Sequence, residues 1–516
     1  MCRRVGGSLS PTFDFAEKSL YLCYMRWTIE NIRKHLIVMP MMAVVVPLVI
    51  GIAFAGAMHV PTALWGAGIA VCLMAAAVWR SRAGVWLCVA MMPLGAMLCN
   101  LDLPPVVAYD SVQRLTLRVD DATRRGERYN TTSAEIVGCG DTTFPTTVKA
   151  VVYSDTTLRF ANGDRLTLNG TLRRFGDRHP SYASLMYHRR YVGTLWIGAN
   201  PAFDYRPAGQ VGLHERAVGK LARLTPQGSA QQTLLSMAVG ERTQMSAQLR
   251  RAYARSGASH LLAVSGLHVG IVFLLVNVLL AFVPLVRNGN LWRCLIAACA
   301  IWLYVVLCGT PPSAVRAAVM FTALQAGISF SREYVSVNTL AGAAFTMLVC
   351  APRLLFDIGF LLSFTAVAGI ILWGIPLCRR LHTRHRAINA LVGVLVVGFV
   401  ATLATLPLVS HTFGLVSVAG VLLNPIVVLL ANVIVLFSVA SLLLPAPIAS
   451  LAVKPAMWCA EVQNAVVESV AALPWSSFDY RCPGWAVYAI YAVFVVLTLL
   501  GCGFGRDKTA RVGEDN

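Results

Sequence analysis

Charge is scarce in this chain, and acidic charge most of all. Only 13% of its 516 residues are Asp, Glu, Lys or Arg, with 24 acids against 43 bases. So little charge beside 57% hydrophobic residues excludes an ordinary soluble enzyme and points to a polytopic membrane protein. Metal-binding patterns are missing too: no HxHxD, no HExxH, and no CxxC among the 14 cysteines. Most of those cysteines (Cys72, Cys88, Cys99, Cys294, Cys299, Cys308, Cys350, Cys502) lie in apolar runs, where a free thiol behaves as a small hydrophobe. A metal hydrolase and a disulfide-framed domain are both disfavoured, and no cofactor is expected.

What is there is basic. The formal charge of +19 is not gathered into one nucleic-acid-binding stripe. Much of it falls in short clusters beside apolar runs, the pattern that sets membrane topology. The remainder suits an anionic substrate or anionic lipid.

Three apolar spans come first, near 36–58, 61–79 and 83–101. A long polar region follows, and apolar spans resume near 261–286, 291–309, 313–331, 336–352, 354–376, 388–410, 415–430 and 431–445. A mixed segment, 446–475, precedes a last span at 485–503. The fold class expected is a polytopic α-helical bundle of about 10–12 transmembrane helices carrying an inserted extracytoplasmic β-domain. Its divisions are a tail and three spans at 1–101, the β-domain at 102–230, a multi-pass helical domain at 231–505 and a disordered tail at 506–516.

The positive-inside rule orients these spans. Arg3, Arg4, Arg26, Arg33 and Lys34 hold the N-terminus in the cytoplasm, and Arg80 with Arg82 marks the second inside loop. Arg287 with Arg293, Arg332 and CRRLHTRHR (378–386) then fall inside, as do Arg506, Lys508 and Arg511. This count needs two crossings between 415 and 445, a helix pair turning near Asn432, and leaves 446–480 outside.

QRLTLRV (113–119), TTVKAVVY (146–153), GDRLTLNGTL (163–172) and YVGTLWIG (191–198) alternate apolar and polar residues, with turn signals at Asn162-Gly163 and Asn169-Gly170. A barrel or sandwich is expected, an OB-type barrel being one candidate. Residues 102–230 carry 17 Lys/Arg against 12 Asp/Glu, a net of +5. Basic barrels bind single strands through stacked aromatics, but Tyr153, Phe160 and Phe175 are read here as core or rim. Beyond the domain, ERTQMSAQLRRAYARSGASH (241–260) sets Arg242, Arg250, Arg251 and Arg255 against one acid on a helical pattern. Lipid headgroups and an anionic substrate at a pore entrance both fit it.

HLLAVSGLHVGI (260–271) places polar residues in an apolar run. Gly266 and Gly270 are spaced as GxxxG, so another backbone can approach closely. Ser265 and His268, three apart, share a neighbouring helical face. Two readings stand open: the pair satisfies partners within the bundle, or it lines a hydrated path. A nucleophile–base pair is disfavoured, because AVSGL is not G-x-S-x-G and an i,i+3 pair seldom aligns for proton transfer. GTPPSAVRAAVMF (309–321) sets Arg316 one turn inside a helix, snorkelling by position or facing a cavity. Asp357 stands four residues after Arg353 and pairs either with it or across the bundle with Arg316. Asn424 before Pro425 reads as a kinked helix at membrane depth.

HLLAVSGLHVG after a basic helix, GTPPSAVRAA, FDIGFLLSFTAVAGI and ATLPLVSHTFGLVSVAGVLLNPIVV together resemble the competence segment of ComEC-type DNA-uptake proteins. FGDRHPSYASLMYHRRYVGTLWI (175–197) resembles part of that family's OB-like domain. The resemblance implies a multi-pass inner-membrane channel that passes one DNA strand into the cytoplasm during natural transformation, without covalent catalysis. Its implied partners are single-stranded DNA, membrane lipid, a DNA receptor and a cytoplasmic helicase, and an oligomer is compatible with it. Ser265, Gly266, His268 and Gly270 fall in the motif helix at or near the channel, and Arg316, Asp357, Ser363 and Asn424 fall in later blocks. Arg250, Arg251 and Arg255 are candidates for DNA entry. Longer members carry a C-terminal metallo-β-lactamase-like domain. This chain stops 13 residues after its last span without HxHxDH, so the form lacking that domain is expected. A transporter for another solute, or a membrane scaffold with a partner-binding outer domain, is the alternative.

Overall fold

Helix α1 (Pro40–Ala57), α2 (Thr62–Val78) and α3 (Ala83–Leu101) open the fold, matching the first three apolar runs. Glycines let α1 and α3 touch along their backbones. A Cβ on Gly51 would lie 1.8 Å from the Met92 carbonyl oxygen, and one on Gly95 2.4 Å from that of Leu48. The computed structural model describes residues 40–501 apart from 59, 103–108, 125, 127, 140–141, 176–185, 188, 199–202, 209–211, 282–288 and 331–335. Expectations resting on Arg3, Arg4, Arg26, Arg33, Lys34, Arg287, Arg332, residues 176–185 and the tail from 502 lie outside the described residues. The chain forms two compact units, the first made of the opening helices up to Met97 with Val335–Thr346, the second of the remainder.

The polar region forms a six-stranded sheet. Strands β1 (Val112–Arg124), β2 (Asn130–Cys139) and β3 (Thr142–Ser154) are an antiparallel meander, followed by β4 (Arg165–Thr171), β5 (Tyr191–Ile197) and β6 (Phe203–Arg206). Their order is β5-β3-β2-β1-β4-β6, with β3 and β5 parallel. Arg173 and Thr194 exchange backbone hydrogen bonds of 2.9 and 2.8 Å, so the chain after β4 closes onto β5. Period-2 alternation turns Leu115, Leu117, Val119, Ala134, Ile136, Val148, Ala150, Val152, Leu166 and Leu195 into one core. Phe160 belongs to this core, whereas Tyr153 stands half-buried on the opposite face. Asn169-Gly170 is not a turn but lies inside β4. The glycine serves closure: a Cβ there would sit 2.8 Å from Leu195 Cδ1.

The sheet ends at Arg206, well before residue 230. Helices α4 (Leu213–Leu224) and α5 (Ser229–Ala238) join the helical core instead, burying Ala217, Leu221 and nearly all of α5. Then come α6 (Ala247–Arg255), α7 (Gly266–Leu279), α8 (Gly289–Leu307), α9 (Pro312–Phe330), α10 (Ser336–Cys350) and α11 (Ile358–Gly369). A π turn at Ile370–Gly374 leads into α12 (Ile375–Arg380), and α13 (Arg386–Phe413) follows. Among the described residues, five helices are long and apolar enough to cross a membrane: Arg80–Leu101, Gly289–Leu307, Ile358–Arg380, Ile388–Phe413 and Leu423–Leu443. Their outward side chains, such as Val85, Leu295 and Phe399, are exposed apolar groups, as lipid contact requires.

The expected helix pair turning near Asn432 is absent. A single helix, α14 (Ala419–Leu443), runs straight through it, because Val427, Ala431, Ile434 and Val435 bury one continuous stripe. The return comes in α15 (Ala446–Ala471), the segment read as mixed. Strand β7 (Leu415–Ser417) before α14 pairs antiparallel with β8 (Ser477–Asp479) after α15. The start of α14 and the end of α15 therefore lie together, and α15 retraces the length of α14. Its polar residues misled composition: Gln463 and Asn464 face inward, while Lys454, Glu461 and Glu468 are exposed. Helix α16 (Gly484–Gly501) ends the described chain.

Candidate functional site

The site assembles where α7, α9 and α11 begin. Ser265 is not inside α7 but is the residue before its first turn, with extended backbone (φ −103°, ψ 170°). Its N–H donates to His268 Nδ1 at 3.3 Å. The i,i+3 spacing thus closes a helix start rather than sharing a mid-helix face. Ser265 Oγ and His268 Nε2 are both buried and have no hydrogen-bond partner among the described residues. Since Nδ1 accepts, the imidazole proton is assigned to that partnerless Nε2. Gly266 and Gly270 face α9, where added Cβ atoms would lie 3.7 Å from Ala317 Cβ and 3.0 Å from Phe321 Cζ. Ser313 Oγ, at the start of α9, donates to the Val264 carbonyl at 2.5 Å and ties the two helix starts.

Arg316, one turn into α9, is 6% exposed and does not snorkel. Its Nη1 lies 3.7 Å from Asp357 Oδ1, and its Nε donates to Ser363 Oγ at 3.3 Å. Asp357 is also the N-cap of α11, accepting from the Phe360 N–H at 3.0 Å. Its other oxygen accepts from Arg189 Nε at 2.7 Å. The neighbour four residues before it, Arg353, pairs elsewhere: its Nε lies 3.7 Å from Asp102 Oδ2, and its guanidinium stacks 5.0 Å over the Tyr187 ring. Asp102 accepts a further bond from Arg190. A contact across the bundle wins over the local pair because Pro352–Phe356 is a 3-10 turn, in which residues three apart eclipse and residues four apart do not share a face.

Four guanidiniums therefore share two carboxylates where the loop before β5 meets the helix starts. Arg316, Arg353 and Asp357 are buried, and the surplus of positive charge is carried by the half-exposed Arg189 and Arg190. In low dielectric such a lattice is costly unless every charge is paired. Gly359 leaves space for it, since a Cβ there would lie 2.8 Å from Arg316 Nη2. Sequence reasoning missed Asp102, Arg189 and Arg190, although the last two stand in the YHRRYVGTLWI stretch.

Asn424 sits on α14 beside Pro425, its Oδ1 buried without a partner among the described residues. Leu423 and Val427 flank it in the same core cluster as Val269 and Val272 of α7. Arg250, Arg251 and Arg255 are exposed on α6, and Arg250 Nη2 donates to the Met245 carbonyl at 2.8 Å. Gly257 (φ +79°) turns the chain out of α6 against α14, where a Cβ would lie 3.0 Å from Gly420 Cα. The three arginines and the α7–α9–α11 starts are thus separate features.

A second polar group was not legible. Asn464 Oδ1 accepts from Thr233 Oγ1 at 2.8 Å and Tyr253 Oη at 2.9 Å, and Gln463 Nε2 donates to Tyr253 Oη at 3.2 Å. Burial pushes the Tyr253 phenol up to about 12, so it remains a donor. Gln463 Oε1 and Asn464 Nδ2 are buried without partners among the described residues. Among the described residues, no group of three His, Cys, Asp or Glu side chains is placed to hold a metal ion.

ComE operon protein 3 of Bacillus subtilis (strain 168) is 28% identical over 194 residues, which are 37% of this chain and 24% of the relative. The chain thus aligns with about a quarter of that protein's length. No solved structure matches. The family model described as competence protein matches residues 237–503, just over half of the chain and every helix from α6 to α16. The chain belongs to the competence protein family.

Proposed function

We propose that the protein is a multi-pass channel of the cell inner membrane that passes single-stranded DNA into the cytoplasm during natural transformation, with no covalent step. The observation that carries this reading is the set of polar helix starts inside an apolar, family-matched bundle. Ser265, His268 and Asn424 offer buried donors and acceptors without partners among the described residues, and Arg316 is a buried member of the net-positive lattice. Sparse guanidiniums, amides and hydroxyls hold phosphates weakly enough to release them, as conduction of a polyanion requires.

An OB-like identity for the β-domain is part of the proposal. The strand order, the parallel β3–β5 pair and closure at Arg173–Thr194 support it. So is the topology: three crossings before the β-domain and nine after it, about twelve in all, with α15 supplying the crossing that places the tail inside. The relative's printed name ties it to a ComE operon. A DNA receptor and a cytoplasmic helicase would act before and after this chain.

Deleting the gene should abolish transformation, and restoring the wild-type chain should recover it. Normal transformation in the deletion strain would end the channel reading.

A further inference from the structure

Between the β-domain and the helical domain lies a cleft of about 680 Å³. One wall is the end of the β1–β2 hairpin, at Thr123 and Gly126, with Arg159 beside it. The other is formed by the starts of α5 and α6, including Gln227, Gln232, Ser246 and Arg250. Its volume falls in the range of about 300–1,000 Å³ usual for ligand sites. The lining holds two guanidiniums, several carboxamides and hydroxyls, and no carboxylate. The acid behind the lining, Glu241, is taken up by the Thr243 N–H and hydroxyl, and neither Arg159 nor Arg250 has an ion-pair partner shown among the described residues.

The cationic wall is pre-set. Arg250 is held by its bond to the Met245 carbonyl, so less rotamer freedom is lost on binding an anion. The Gln232 side-chain oxygen accepts from the Ser246 N–H at 3.2 Å, which joins the two helix starts and leaves the amide NH₂ available. Both starts direct the positive ends of their helix dipoles at the same space.

A second feature adjoins the cleft. Gly126, in the wall, packs on the backbone of Tyr129: a Cβ there would lie 2.1 Å from the Tyr129 carbonyl oxygen. The Tyr129 ring meets Tyr153 at 5.2 Å and Trp196 at 6.0 Å, and Tyr153 lies nearly parallel to Trp196. Trp196 is 61% exposed and Tyr129 43%, on the outward face of the sheet. Exposed rings beside a cationic cleft with no carboxylate in its lining offer the two halves of single-strand recognition, bases on the rings and phosphodiesters on the guanidiniums. A free phosphate or a lipid headgroup uses only the second half.

We propose that Trp196, Tyr129 and the Arg159–Arg250 cleft form one docking track that receives single-stranded DNA at the junction of the two domains. This rests on the uptake reading and gives it an entry point. Arg251 and Arg255 extend exposed positive charge along α6 beyond the cleft.

The test uses the full chain in nanodiscs of zwitterionic lipid, with a fluorescent oligo-dT strand read by anisotropy across a salt series. Replacing both cleft arginines (Arg159→Ala with Arg250→Ala) should weaken binding at least tenfold and flatten the log–log salt slope by about 1.4, two contacts at about 0.7 each. Trp196→Ala should weaken binding by about tenfold with the slope unchanged, because stacking releases no counterions. Lysine at both arginine positions should restore the slope, and Arg206→Ala, away from the cleft, should change neither quantity. Unchanged affinity and slope in the double alanine variant, with wild-type binding intact, overturns the track and leaves the uptake reading standing. If the wild-type chain binds no strand even at low salt, the uptake reading fails and the track falls with it. A variant effect seen only after phosphatidylglycerol is added assigns the cleft to a lipid headgroup and overturns the proposal.

Discussion

Asp357 carries more of the structure than its place four residues after Arg353 suggests. It caps α11 and faces both Arg316 and Arg189. Asp357→Asn strands the buried Arg316 charge and should destabilise the protein by about 3–5 kcal/mol, read as a lower melting temperature in detergent. Replacing Arg316 by Met and Asp357 by Leu together should recover much of that stability while transformation stays lost, since packing returns and the charge does not. Full transformation in that double variant would remove the lattice from the mechanism. Gly270→Leu should cost about 1–3 kcal/mol by overpacking Phe321. Gly393→Leu, with nothing within 4 Å of its Cβ, should leave stability unchanged and serves as the control. Ser265→Ala removes a hydroxyl with no partner among the described residues, so the fold should be unaffected. A loss of transformation without a loss of stability then marks Oγ as facing the strand.

At the scale of elements, hydropathy and alternation made most of the fold legible. The first three helices, and strands β1, β3, β4 and β5, fall where apolar runs and period-2 alternation put them. Strand β2 was missed because NTTSAEIVGC mixes small polar residues into its inward row, and β6 because it spans only Phe203–Arg206. Helix α15 shows the opposite error. Pro455, Lys454, Glu461 and Glu468 dilute its hydropathy, but tertiary packing of Val453, Ala456, Ala460 and Val467 decides its role. If α15 crosses the membrane, a cysteine placed at Ala446 and one placed at Arg481 should react with an impermeant thiol reagent from opposite sides. Labelling of both from one side would restore the helix pair turning near Asn432.

At the scale of the molecule, local sequence rules had no access to contacts that join distant segments. Ser265, Gly266, His268, Gly270, Arg316, Asp357 and Asn424 were legible as candidates because polar groups stand out in apolar runs. Their grouping was not, since Arg189 reaches Asp357 across 168 positions and Tyr253 reaches Asn464 across 211. The same long-range closure attaches the β-domain to the helix starts through Asp102, Arg189, Arg190 and Arg353. The two-domain arrangement gives the proposed channel a receiving surface and a conducting interior in one chain. Its central claim is that one DNA strand passes through. The direct measurement supplies competent cells with duplex DNA labelled on each strand in turn and recovers nuclease-protected label from the cytoplasm. Protected single strands are expected with the wild-type chain and none with Asp357→Asn or with the gene deleted. Protected label at wild-type levels in the deletion strain would contradict that claim.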